Sequence, residues 1–225
     1  MSTKTLFLTG ASSGIGEATA RAVVAAGWNV ALMARSADQI EALAKELGPN
    51  ALAVPGDATD YAAQADAVRK TVEAFGGIDA AYANAGRGTS QAGTEGGDPD
   101  DWDGMIGVNV LAPLYTAHAT LPELRKRKGH YLVTGSAAGR AHIKGSIYGA
   151  TKWFVHGFGG NLAQEMKEWG GRCTVIAPGM VNTAFFDSPK PDKLQPQDVA
   201  NAVVYALEQP SHVAINEVFV MPANP

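Results

Sequence analysis

The chain has 225 residues, 46% of them hydrophobic, with 18 basic and 22 acidic side chains for a net charge of −4. That length suits one domain of the larger kind, and the balance of charge supplies no basic surface for nucleic acid. The single cysteine, Cys173, excludes an internal disulfide and a cysteine-based metal site, and no apolar run approaches the ~18 residues that a membrane span needs.

Residues Thr5–Thr9 (TLFLT) read as a first strand that begins almost at the N-terminus. This leaves no room for a signal peptide, so a cytoplasmic protein is expected. Further strands are expected at 29–34, 51–54, 78–83, His130–Thr134, 174–177 and 217–221. Several are continuous apolar runs, as in strands covered on both faces. Between them lie helical patterns. One is the stripe Ile40, Leu43, Ala44 and Leu47 closed by Gly48; another is Tyr61, Ala65, Val68, Val72 and Phe75 closed by Gly76. Longer helices are expected from Trp102 into the basic cluster Arg125–Lys126–Arg127–Lys128, from Tyr148 to Trp169, and from Pro196 to Glu208. The cluster suits a solvated helix C-terminus. Cys173 reads as a buried strand residue. Strands alternating with helices predict an α/β fold, a Rossmann-type doubly wound parallel sheet of seven strands in a single domain spanning 1–225.

Two distant stretches carry the chemistry. Thr9-Gly10-Ala11-Ser12-Ser13-Gly14-Ile15-Gly16 follows the first strand and opens a helix. Gly10 permits the tight turn, Gly14 lets the backbone approach a pyrophosphate, and Gly16 lets the helix pack closely on the sheet. The helix N-terminus offers N–H groups to the phosphates. The second strand ends Ala34-Arg35-Ser36, without the acidic residue that would bond an NAD ribose, and a guanidinium there suits the 2′-phosphate of NADP. After the third strand, Asp57 could accept from an adenine amino group, and Asp60 reads equally well as a helix N-cap. The small-residue turn Asn84-Ala85-Gly86 could lie flat beside a cofactor. The stretch 87–101, rich in glycine and polar residues, should lie at the carboxyl edge of the sheet; it reads as a ligand-side segment or as a plain surface loop.

The second stretch is Ser136 followed by Tyr148-Gly149-Ala150-Thr151-Lys152. Tyr148 and Lys152, spaced i, i+4, share a helix face. Oxidation of an alcohol by a nicotinamide requires a base for the hydroxyl proton, and an ammonium one turn away stabilises a phenolate. Ser136, at a strand end, can hold the substrate oxygen against the phenol.

With these motifs the sequence resembles the short-chain dehydrogenase/reductase superfamily along essentially its whole length. The T-G-x-x-x-G-x-G motif matches Thr9 to Gly16, N-A-G matches Asn84 to Gly86, and the adenine-contacting aspartate matches Asp57. The resemblance implies a catalytic set of Asn109, Ser136, Tyr148 and Lys152. Lys152 would also bind the nicotinamide ribose, and Asn109 would hold a water in a proton relay. It implies nicotinamide contacts at Pro178, Gly179, Val181 and Thr183, with Ser12, Ser13 and Ile15 completing the phosphate turn. NADP(H) is the expected cofactor. A homodimer or homotetramer is expected, formed partly through the helix bearing Trp153, Phe154 and Phe158. There are departures: the interval from Ser136 to Tyr148 is 12 positions, about one shorter than in many members; Ala83 stands where a second Asn is common; and the glycine turn lacks the basic residue of some NADP-dependent members.

A lid over substrate is expected at 184–193, too short to enclose a steroid-sized ligand unaided. Its lining candidates are His142, Ile143, Met180, Phe185 and Phe186, which favours compact aldehydes, ketones or 3-oxo acids. His118, His130, His156 and His212 are scattered without metal-ligand spacing, so no metal site is expected. The reading is an NADP(H)-dependent oxidoreductase that interconverts a small alcohol or hydroxy acid and its carbonyl compound. Its rival is a regulatory protein of the same fold that binds NADP without turnover.

Overall fold

A computed structural model of the chain describes residues 3–91 and 93–223. Seven strands form one sheet: β1 (Thr5–Thr9), β2 (Asn29–Met33), β3 (Ala51–Ala53), β4 (Ala80–Ala83), β5 (His130–Thr134), β6 (Arg172–Pro178) and β7 (Glu217–Val220). Their order is β3-β2-β1-β4-β5-β6-β7, with every neighbouring pair parallel. The chain therefore winds outward from β1 in one direction and resumes at β4 on its other side. A crevice opens at the carboxyl ends where that reversal occurs.

Successive residues of each central strand feed opposite cores. Leu6 and Leu8 of β1 join Val30, Leu32, Tyr82, Leu132 and Ile176 on one face. Against them pack Ala20 and Val23 of α1 (Gly14–Ala25), Ile40 of α2 (Ala37–Leu47), and Val199 and Val203 of α7 (Pro196–Leu207). Phe7 points the other way, with Ala31, Met33, Ala81, Tyr131, Val133 and Val175. That face is covered by Val68 of α3 (Tyr61–Phe75), Leu124 of α5 (Ala112–Arg127), and Val155, Leu162 and Met166 of α6 (Ile147–Lys167). With helices on both faces, the central strands have no solvent side, which explains their unbroken apolar runs, whereas Phe219 of the edge strand β7 is exposed.

Strand and helix ends differ from the sequence expectation by one to three residues, and hydrogen bonds explain where. β4 starts at Ala80 because the Asp79 carboxylate and main chain are already tied to Thr5. β6 starts earlier than expected, at Arg172, whose N–H donates to Gly129. Asp60 caps α3, accepting from Ala62 N at 2.8 Å and Ala63 N at 3.3 Å. The long helix expected from Trp102 begins as α4 (Pro99–Ile106), capped by Asp98 with Pro99 at its first turn. It passes through a π segment, Gly107–Leu111, before continuing as α5. Lys128 ends α5 in the left-handed conformation, φ 50°. Cys173 is buried in β6, and desolvation pushes its thiol up to about 12. Among the described residues no helix is long and apolar enough to cross a membrane, and no group of three potential ligands could hold a metal.

Candidate active site

The glycine turn lies at the carboxyl end of β1, with Gly10 at φ 66° and Gly14 at φ 55°. A side chain at Gly10 would press on the Ala85 backbone, 2.8 Å from its Cα. A Cβ at Gly16 would lie 2.0 Å from the Gly10 carbonyl oxygen. The N-cap residue of α1, Ser13, makes no side-chain capping bond, unlike the caps of α3, α4 and α6. The first N–H groups of α1 thus face outward without an internal side-chain acceptor, beside a backbone stripped of Cβ atoms. That geometry fits a pyrophosphate.

The turn is braced against β4. Thr9 Oγ1 accepts from Asn84 N (3.1 Å) and Ala85 N (3.2 Å). The Asn84 side chain donates to the carbonyls of Thr9 and Gly10 at 3.2 and 3.3 Å. Thr134 Oγ1, at the end of β5, reaches Asn84 Oδ1 at 3.1 Å. At the far end of the crevice, Asp57 accepts from the main-chain N–H and hydroxyl of Thr59, both at 2.8 Å. Desolvation raises the Asp57 pKa, but those bonds and the charge of Arg35 outweigh it, so the carboxyl stays below its ordinary value. Arg35 and Asp57 therefore share one edge of the site, after β2 and β3.

The other half gathers behind β4 and β5. Ser136 follows β5 and accepts at Oγ from Ala138 N at 3.1 Å. Its side chain also approaches the Tyr148 hydroxyl closely enough to lower the phenol's pKa. Tyr148 lies in the first turn of α6, which Ser146 caps by accepting from Gly149 N at 2.9 Å. Desolvation raises the Tyr148 pKa and Ser136 lowers it, leaving a net rise. The buried Lys152 donates to Thr134 O at 2.8 Å, and its Nζ stands 5.7 Å from the Tyr148 ring centroid. Burial depresses the ammonium to about 8. Asn109, within the π segment, is 1% exposed. Its Oδ1 accepts from Arg87 N (3.0 Å), and its Nδ2 donates to Arg87 O (2.9 Å) and Thr151 Oγ1 (3.1 Å). Thr151 in turn donates to Tyr148 O at 2.8 Å.

A family model described as short chain dehydrogenase matches residues 4–194. The chain belongs to the short-chain dehydrogenase family. A protein of Staphylococcus aureus strain MRSA252, described as an uncharacterized oxidoreductase, is 40% identical over 225 residues, covering 97% of each chain. One from Staphylococcus epidermidis with the same description is 38% identical over 224 residues, again covering 97% of each. Among solved structures, an alcohol dehydrogenase from the archaeon Thermococcus sibiricus, complexed with 5-hydroxy-NADP, superposes with a TM-score of 0.92 at 31% identity. It covers 99% of this chain and 98% of its own. Serine dehydrogenase from Escherichia coli superposes with a TM-score of 0.90 at 31% identity, covering 98% and 99%.

In this short-chain dehydrogenase the structure brings most sequence-selected residues to one crevice and leaves some outside it. Thr183 packs on the glycine turn, its Cγ2 3.1 Å from where a Gly14 Cβ would be. Val181 is buried and bridges to Leu194, and Gly179 N donates to Val220 O after Pro178 ends β6. The lid is a loop closed at its base, because Asn182 N donates to Leu194 O and Leu194 N to Met180 O. Phe185 rests on Tyr148 (ring centroids 5.4 Å apart) and on Phe186 (5.2 Å), and contacts Gly88. Met180 stays exposed.

His142 and Ile143, expected to line the substrate pocket, border a cavity of about 420 Å³ with Lys144, Ser146, Gly149, Ala150 and Trp153, and His142 stacks on Trp153 at 5.4 Å. Gly149 and Trp153 follow Tyr148 and Lys152 by one residue each, so this cavity opens on the neighbouring face of α6. The expected lysine effect on Tyr148 is also not the dominant one here: desolvation comes first. Thr9, Thr134, Thr151 and His156 were missed by sequence reasoning. Each acts through partners remote in sequence. The signals available were a polar residue ending a strand (Thr9, Thr134) and one inside the apolar part of α6 (Thr151, His156).

Proposed function

We propose that this protein is an NADP(H)-dependent oxidoreductase that interconverts a small alcohol or hydroxy acid and its carbonyl compound. The observation that carries the reading is the convergence of Ser136, Tyr148 and Lys152 beside the uncapped, glycine-lined start of α1. The printed ligands of similar structures support the cofactor: 5-hydroxy-NADP for the archaeal alcohol dehydrogenase and NADP+ for a closed serine dehydrogenase, 29% identical to this chain. Arg35 supports the same choice, because a guanidinium at the end of β2 pairs with a ribose 2′-phosphate.

When bound, the nicotinamide supplies or accepts the hydride. Tyr148 moves the proton at the substrate oxygen, donating it during reduction and taking it during oxidation. Ser136 Oγ holds that oxygen beside the phenol. Lys152 donates to Thr134 O with one proton and would hold the ribose hydroxyls with the others, while its charge favours the phenolate. Both amide atoms of Asn109 are engaged, so its main-chain carbonyl in the π segment is the group that takes a relay water. Phe185 closes the site from above, and its ring on Tyr148 leaves room for compact substrates only.

Association of two or four copies through α6 belongs to the same reading. Phe154 and Phe158 stack at 5.9 Å and pack inward, which leaves Trp153 as the exposed aromatic on that helix. The test of function is kcat/KM for NADPH and NADH across aldehydes, ketones and 3-oxo acids. NADPH-favoured turnover of compact carbonyls is expected. A ratio at or below one, or turnover of steroids alone, contradicts it.

A further inference from the structure

His156 lies on α6 one turn beyond Lys152, away from any substrate, yet its ring is enclosed by the segment that presents Ser136. Its Nε2 stands 3.0 Å from the main-chain oxygen of Ser136. The two glycines of that segment leave room for the ring. A Cβ at Gly135 would lie 3.0 Å from His156 Nε2, and one at Gly139 would lie 2.5 Å from Cδ2. On its other side, Nδ1 stands 3.3 Å from Glu217 Oε1, the first residue of β7. Glu217 also takes the guanidinium of Arg140, the last residue of the 3-10 turn Ala137–Arg140 that follows Ser136. The circuit closes: Ser136 main chain, His156, Glu217, Arg140, and back along the chain to Ser136.

We infer that His156, buttressed by Glu217 and Arg140, is a positioning residue that fixes Ser136 relative to the helix carrying Tyr148 and Lys152. The chemistry of the contact sets the proton. A main-chain carbonyl accepts only, so Nε2 carries hydrogen in either charge state of the ring. Burial holds the imidazole below its ordinary pKa, with Arg140 and Lys152 adding to that and the Ser136 carbonyl opposing it. The neutral Nε2–H tautomer then directs a lone pair at Glu217, so Glu217 supports the segment through its ion pair with Arg140 and not through a bond to the ring. The Ser136 carbonyl also accepts from Gly139 N within its own turn at 3.0 Å, and among the described residues His156 Nε2 is the donor that ties it to α6. Without that donor the Ser136 side chain would drift from the phenol, and the approach that lowers the Tyr148 pKa would be lost.

This inference rests on the catalytic reading of Ser136 and Tyr148, and the experiment separates the two. Four variants, His156→Leu, His156→Gln, Glu217→Gln and Tyr148→Phe, are compared with the wild type for kcat, KM and the pH profile of alcohol oxidation. His156→Leu removes the donor at similar bulk. It is expected to lower kcat on the order of tenfold to a hundredfold, the cost of a small misplacement. It should move the midpoint of the pH profile upward and leave the KM for NADP+ unchanged. His156→Gln, whose amide nitrogen can replace Nε2, should restore most of kcat and the midpoint. Glu217→Gln should shift the midpoint in the same direction by less, and it serves if His156→Leu fails to fold. Wild-type kcat and midpoint in both His156→Leu and Glu217→Gln overturn the inference, as does His156→Gln behaving like His156→Leu. Near-wild-type turnover by Tyr148→Phe instead overturns the catalytic reading beneath it.

Discussion

The buried ammonium of Lys152 should destabilise the fold at neutral pH, so removing it should stabilise the protein while abolishing its activity. Burial lowers this group from its ordinary 10.5 to about 8, and the residue is 4% exposed. At about 1.4 kcal/mol for each pH unit, keeping the lysine charged in the folded chain costs roughly 3.5 kcal/mol as an upper figure. The sign follows from proton uptake. Between pH 8 and 10.5 the unfolded chain holds the proton and the folded chain does not, so stability rises with pH across that window. Below pH 8 the penalty is fully present. Lys152→Met keeps the bulk and removes the charge, but it leaves Thr134 O without its 2.8 Å donor, at about 1–3 kcal/mol. The net expectation at pH 7 is stabilisation by about 1–2 kcal/mol, which for this length raises Tm by about 2–8 °C. The assay is thermal and urea unfolding of both proteins from pH 7 to 10.5, without added nucleotide. The advantage of Lys152→Met should be constant below pH 8, shrink above it, vanish near about pH 9, and be reversed by 10.5. Taking the difference between the two proteins cancels titrations remote from Lys152, such as that of Cys173. A variant less stable than wild type at pH 7, or a difference independent of pH, would refute the reasoning.

Further perturbations probe other parts of the account. Gly16→Ala places a Cβ 2.0 Å from the Gly10 carbonyl oxygen, so the turn must open; urea unfolding should show a loss of about 1–3 kcal/mol, and the KM for NADPH should rise. Unchanged values in both would remove the packing role assigned to that glycine. Arg35→Ala should raise the KM for NADPH about tenfold or more, as expected for charge-assisted hydrogen bonds worth about 1.5–3 kcal/mol, and spare the KM for NADH. Equal effects on both nucleotides would detach Arg35 from the 2′-phosphate. Phe185→Ala uncovers the Tyr148 ring and should shift kcat/KM toward bulkier ketones; an unaltered order of preference across a ketone series would count against Phe185 as the roof.

The fold was legible because each of its devices is local. Continuous apolar runs marked strands covered on both faces, and the 3.6-residue stripes marked their helices. Glycine stops appeared where chain direction changes. The π segment at Gly107–Leu111 left no such mark, since one extra residue in a turn hardly alters an apolar stripe. In the site, Tyr148 and Lys152 were readable because a helix fixes i and i+4 on one face. Ser136 and the glycine turn were readable because strands end at the crevice. The setting of His142 was not: its position between Ser136 and Tyr148 in sequence says nothing about direction, and nothing in it announces the stacking on Trp153. His156 looked like one scattered histidine among several, because both of its partners, Ser136 and Glu217, come from other elements of the chain. Contacts between elements need the topology, and the periodicity of one element does not contain it.

The central claim is that Tyr148, held by Ser136 and backed by Lys152, moves the proton in an NADP(H)-dependent carbonyl–alcohol interconversion. The most direct measurement is NADPH consumption with a panel of compact carbonyl compounds by wild type and Tyr148→Phe in parallel, alongside NADPH binding by each. The account predicts measurable wild-type turnover, a fall in kcat of about 10²–10⁴ in Tyr148→Phe, the range of general acid–base catalysis, and nucleotide affinity nearly unchanged. A Tyr148→Phe protein that turns over like the wild type would contradict it.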